Sequence, residues 1–106
     1  MPLDDYLMPA EQIKFQSSES VRYGEKPYRV IVTDRRLILY ARRGRLFKED
    51  DVISQKLDEL EALKFSEQGV LVRKGLLRIQ TAKTEMRLLG PLPQIKALYQ
   101  QMMQFL

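Results

Sequence analysis

Tyr28-Arg29-Val30-Ile31-Val32-Thr33 and Arg36-Leu37-Ile38-Leu39-Tyr40-Ala41 are two β-branched and aromatic runs with only Asp34-Arg35 between them. Such residues suit a pleated, half-buried surface. Two strands this close in sequence can pair only as a hairpin, so any fold of this chain is built around that pair. Upstream, Ile13, Phe15 and Ser17 alternate with polar residues; the alternation breaks at Ser17-Ser18-Glu19-Ser20 and resumes at Val21 and Tyr23. This predicts one long strand with a bulge or bend. Gly24-Glu25-Lys26-Pro27 reads as a turn. Arg42-Arg43-Gly44-Arg45 reads as another, leading into Leu46-Phe47-Lys48.

The middle of the chain is undecided by pattern. Ile53, Leu57, Leu60 and Lys64 sit at helical spacing and residues 58–64 are good helix formers, yet Leu63 and Phe65 share a strand parity. Three short strands are then expected at Gly69–Arg73, Leu76–Thr81 and Glu85–Leu89, joined by hairpin turns at Lys74-Gly75 and Ala82-Lys83-Thr84. Arg73 and Arg78 become cross-strand neighbours if the first turn is tight. Gly90-Pro91-Leu92-Pro93 ends the strands and opens a helix, with Pro93 in the first helical position. Ile95, Leu98, Tyr99, Met102, Met103 and Leu106 then form the apolar stripe of a helix lying on a core. The opposite face, Gln94, Lys96, Gln100, Gln101 and Gln104, is nearly neutral. The expected architecture is mainly β, a small barrel or sandwich plugged by a C-terminal amphipathic helix.

With 106 residues, 44% hydrophobic and 30% charged, the chain suits one globular domain. No apolar run approaches the roughly 18 residues of a membrane span. Met1-Pro2-Leu3-Asp4-Asp5 lacks a signal peptide's basic and apolar regions, so the cytoplasm, or its membrane periphery, is the expected location. There is no Cys and no His. Disulfides, thiolate metal sites and the Ser-His and Cys-His forms of nucleophilic catalysis are thereby excluded. No Gly-rich phosphate loop is present, and Glu49-Asp50-Asp51 lacks the alternation of a Ca²⁺ loop. No cofactor, metal or catalytic residue is expected, and the chain reads as a non-enzyme.

The net charge of +4 is unevenly spread. Residues 49–67 hold seven acids: Glu49, Asp50, Asp51, Asp58, Glu59, Glu61 and Glu67. From Gln68 onward one acid, Glu85, faces six bases. Two basic sets stand out. Arg42, Arg43, Arg45 and Lys48, with Arg35 one hairpin away, form a candidate anion- or partner-binding loop, because guanidinium forks match phosphate and carboxylate. The bland alternative is a solvated hairpin edge that resists aggregation. Arg73, Lys74, Arg78 and Arg87 form a second basic face, but residues 69–89 offer no aromatics for stacking on bases. The acidic stretch reads as a solvated loop, or as one half of a head-to-tail contact between two copies.

Thr33-Asp34-Arg35-Arg36-Leu37-Ile38-Leu39-Tyr40 resembles the strand–turn–strand motif of bacterial and archaeal pleckstrin-homology-like (PH-like, GRAM-like) domains. Pro9-Ala10-Glu11 before the first strand is similar to the proline, small residue, Glu signature common there. The likeness spans roughly Met8 to Leu106, and its sharp part is about eight residues. It implies a single PH-like domain over 1–106: an N-terminal turn or short helix at 1–10, a seven-stranded bent antiparallel barrel across 11–89 including residues 58–66, and a helix at 92–106 that caps the barrel. It also implies that Thr33, Asp34 and Arg36 are structural, with Arg36 paired inside the fold. Lipid-binding members carry a basic cluster in the first hairpin; here that stretch, Tyr23 to Arg29, holds an acid, Glu25. The resulting expectation is a non-catalytic adaptor for a protein or peptide, which includes a second copy of itself. Anionic lipid headgroups at Arg42–Lys48 are the alternative, and nucleic acid ranks third.

Overall fold

In a computed structural model of the chain, residues 6–44, 49–69 and 71–105 are described. The strands are β1 (Ile13–Gln16), β2 (Val21–Tyr23), β3 (Lys26–Thr33), β4 (Arg36–Arg43), β5 (Glu49–Lys56), β6 (Leu60–Gln68), β7 (Lys74–Thr81) and β8 (Glu85–Pro91); helix α1 (Leu92–Met102) follows. All pairings are antiparallel. The order is β5-β4-β3-β2-β8-β7-β6, with β1 also on β3. The described pairings leave β5 and β6 as edges, so the sheet is open.

Two meanders, β2 to β5 and β6 to β8, meet at a single register pair, Arg22 with Leu89. The expected long first strand is interrupted, and the serines explain where. Ser17 trades a backbone bond with Val30 (N–H to carbonyl, 2.8 Å), and its Oγ accepts the Val30 N–H at 3.0 Å. The Ser18 N–H donates to Gln94 Oε1 at 3.1 Å, and Gln94 Nε2 donates to Ser18 Oγ at 2.6 Å. The bend is therefore clamped to the first turn of α1.

β3 and β4 are apolar without alternation because both their faces are covered. Val30, Val32, Leu37 and Leu39 point into the main core with Leu77, Ile79, Leu88, Ile95, Leu98 and Met102. Ile31, Ile38 and Tyr40 form a second cluster on the other face, beneath Leu7 and Val52. The N-terminal segment thus acts as a cover: Tyr6 lies 6.3 Å from the Tyr40 ring and its hydroxyl donates to Asp50 at 2.9 Å.

Residues 57–68 resolve as a one-turn 3-10 helix, Leu57–Glu59, followed by β6. Leu63 and Phe65 face the core, so strand parity prevails over helical spacing. Downstream the strand boundaries differ from the sequence reading. Residues 69 and 71–73 are not strand, and Lys74-Gly75 begins β7 and is not a hairpin turn. Gly69, at φ +104°, ends β6 in a conformation that other residues rarely adopt. Arg78 pairs in register with Lys64 and Arg87, not with Arg73.

Gly75 serves close packing: a Cβ there would lie 2.6 Å from Ile95 Cβ. Ile95, Leu98 and Met102 are buried, and Tyr99 stacks on Phe65 at 5.4 Å and 17°. After Met102 the chain tightens into a 3-10 turn, Met103–Phe105. The change of pitch moves Met103 out to 43% exposure, against the stripe assigned to it, and brings Phe105 onto the core.

Candidate functional site

The Thr33–Arg36 motif ties several segments together through hydrogen bonds. Thr33 Oγ1 accepts the N–H groups of Arg35 (3.1 Å) and Arg36 (3.0 Å), which closes the β3–β4 turn. Thr81 does the same for β7–β8, accepting from Lys83 (3.3 Å) and Thr84 (3.1 Å). A hydroxyl that satisfies turn amides is why both hairpins begin with Thr. Asp34 Oδ1 accepts the Gln12 N–H at 3.0 Å, and the Asp34 N–H returns to the Gln12 carbonyl at 3.0 Å.

Arg36 grips Glu11 with a fork, Nε to Oε2 at 2.9 Å and Nη2 to Oε1 at 3.0 Å. Its Nη1 donates to Ser54 Oγ at 2.9 Å and its Nη2 also donates to the Tyr6 carbonyl. The Glu11 side chain is fully buried and takes a further bond from Thr33 Oγ1 at 2.6 Å. Burial opposes ionisation of Glu11. The hydrogen bonds from Arg36, Thr33 and the Met8 N–H, with the charge of Arg36, outweigh it and lower the pKa from 4.5 to about 2. Arg36 is therefore committed inside the fold.

The Pro9-Ala10-Glu11 signature has a physical reading that sequence alone did not supply. The Glu11 N–H donates to the Met8 carbonyl at 3.0 Å around a turn with Pro9 second and Ala10 third, at φ +63°. Pro presets the second position, and the third wants a residue tolerant of positive φ. Ala10→Gly is accordingly expected to stabilise the protein by about 1 kcal/mol, read as a higher denaturation midpoint in urea with an unchanged slope.

The other sequence candidates divide. Arg42 and Arg43 lie opposite Asp50 and Glu49 across β4–β5. Arg42 sits 3.5 Å from Asp50, and Arg43 sits 3.5 Å from Asp51. Arg43 also covers the Tyr28 ring at 4.7 Å and donates to the Pro27 carbonyl at 3.0 Å. Tyr28 and Tyr40 hydroxyls bond Asp51 and Asp50 at 2.8 and 3.2 Å. The acids at 50 and 51 are thus part of β5 and not a solvated loop, and they offset the two arginines next to them. Arg45 and Lys48 lie outside the described residues. On the second basic set, Arg73 is 2.7 Å from Glu67, and Arg87 and Arg78 are 3.0 and 4.0 Å from Glu85. Arg78 Nε is buried without a hydrogen bond, flanked across the strands by Lys64 and Arg87. Lys74 is exposed at the start of β7.

Arg35 falls in a different place, on the rim of a cavity of about 690 Å³. This cleft lies at the end of β5. Its walls are the β3–β4 turn (Asp34, Arg35, Arg36), the end of β5 (Ser54, Lys56), the 3-10 turn (Leu57, Asp58), Met8 and Phe105. A bond from the Leu57 N–H to the Arg35 carbonyl, 3.0 Å, ties two of these walls together. The floor is apolar (Met8, Leu57, Phe105), and the rim balances Arg35 and Lys56 against Asp34 and Asp58. Sequence reasoning missed the cleft because its members are spread from Met8 to Phe105. Phe105, which falls off the ideal helical stripe, was the one signal available.

Among the described residues no group of three or more acids could hold a metal, and no helix is long and apolar enough to cross a membrane. No protein-family model matches the chain, and no curated protein or solved structure matches it.

Proposed function

We propose that this chain is a non-catalytic PH-like binding module that takes a protein or peptide segment. The strand order supports the PH-like reading: a four-strand meander whose first strand is bent (β1/β2), a three-strand meander, and a terminal helix over the junction. The observation that carries the function is the free edge of β5 running into the cleft. An extended segment can add its backbone to that edge and place a side chain on Met8, Leu57 and Phe105. The mixed-charge rim suits a peptide of both signs better than a polyanion. The chain has no His and no Cys, which favours recognition over His- or Cys-based chemistry in this reading.

Selection of peptides from a random display library, followed by amide chemical-shift mapping, tests this. Shifts are expected along β5 and at Leu57 and Phe105. Phe105→Ala and Arg35→Glu are each expected to weaken the selected peptide about tenfold. A library that yields no binder, or shifts confined to other strands, overturns the proposal.

A further inference from the structure

At the turn between β6 and β7, Leu71 is 97% and Val72 71% exposed, although most other large aliphatics among the described residues are covered. Scattered apolar surface needs no account, but two adjacent aliphatics at the tip of a hairpin are a projecting apolar point. Directly behind the tip lies a groove of about 290 Å³. Its apolar wall is built from Val72, Leu89, Pro91, Leu92 and Pro93, and the remaining lining residues are Ser20, Gly90 and three cations, Arg22, Arg73 and Lys74. No acid lines it. The register row Lys64–Arg78–Arg87 adds further cations on the sheet, two of them paired with Glu85.

We propose that the β6–β7 turn docks the protein on an anionic bilayer, with Leu71 and Val72 entering the leaflet and Arg22, Arg73 and Lys74 taking lipid phosphates. An apolar point with a basic collar complements the interface between acyl chains and headgroups. Arg73 is held only by an exposed pair with Glu67, of the kind that contributes little and can exchange for phosphate. Arg43 has less freedom, since besides Asp51 it covers the Tyr28 ring and donates to the Pro27 carbonyl. Two aliphatics and a few cations make a weak, reversible contact, so its strength falls with salt. This surface shares only its chain with the β5 cleft, and the two proposals stand or fall separately.

The chain has no Trp, so Leu71→Trp places a single reporter at the tip. With vesicles of phosphatidylcholine and phosphatidylserine at low salt, its emission should shift to the blue and be quenched by brominated acyl chains. Vesicles of phosphatidylcholine alone should leave it unchanged. Co-sedimentation of the native chain should drop about tenfold on replacing Leu71 and Val72 by Ser, and be lost on Arg22→Glu with Lys74→Glu. Arg35→Glu, in the cleft, should not alter it. Absence of binding to the anionic vesicles, or binding with the indole unshifted, overturns the proposal. So does a blue shift that grows with protein concentration without vesicles, because the tip is then a contact between copies.

Discussion

Arg36→Met is expected to lower the unfolding free energy by about 3–5 kcal/mol, because it leaves the Glu11 carboxylate buried without its cation. For a domain of this size that is about a fifth or more of a typical total. Four segments would lose a common tie: the N-terminal cover through Tyr6, the Met8–Glu11 turn, β4 and the end of β5 through Ser54. Urea denaturation measures the loss, and Arg36→Lys should fall in between, since it keeps charge but not the fork. A loss under about 1 kcal/mol would mean that water satisfies Glu11 equally well, and would end the structural reading of this pair.

The same network sets an acid limit. Glu11 has a folded pKa depressed from 4.5 to about 2, so its stabilisation is complete above the unfolded value. It is lost as pH falls through that window, and amounts to about 3 kcal/mol. In Arg36→Met the main bond favouring the charged form is gone and burial favours the protonated form. The gap between variant and native protein should therefore narrow on acidification.

Gly75→Ala should cost about 1–3 kcal/mol, since the added methyl meets Ile95 Cβ at 2.6 Å and α1 has to lift from β7. A double-mutant cycle isolates the cause. Ile95→Ala alone is expected to cost about 2–5 kcal/mol by leaving a cavity. Combined with Gly75→Ala it should cost clearly less than the two together, because each change fills or empties the other's space. Additive losses would show that Gly75 matters for backbone conformation and not for the approach of the helix.

Local chemistry was legible in the sequence, and its long-range use was not. The β3–β4 hairpin, the break at residues 17–20 and the terminal helix follow from β-branched and aromatic runs, serines and an apolar stripe, each a matter of near neighbours. Gly75 was misread because a glycine beside a lysine between two apolar runs is also what a turn looks like; only the helix packed above it distinguishes the two. Asp50 and Asp51 were read as a loop because their partners, Arg42, Arg43 and two tyrosines, come from other strands. Leu71 looked like a strand residue for want of any local sign that nothing covers it. The cleft at the end of β5 is a product of topology, drawing on both ends of the chain.

The free edge of β6 carries one more implication. An exposed strand invites another chain to extend the sheet. The register in which two copies of β6 would best match their apolar residues is antiparallel and centred on Lys64, setting Leu63 of each copy against Phe65 of the other. That alignment also sets Lys64 against its own copy and Glu61 against Glu67, and like charges directly opposite are destabilising. The hydrophobic lure and the electrostatic barrier coincide in one register. Sheet extension through that edge is therefore expected to be disfavoured in this register.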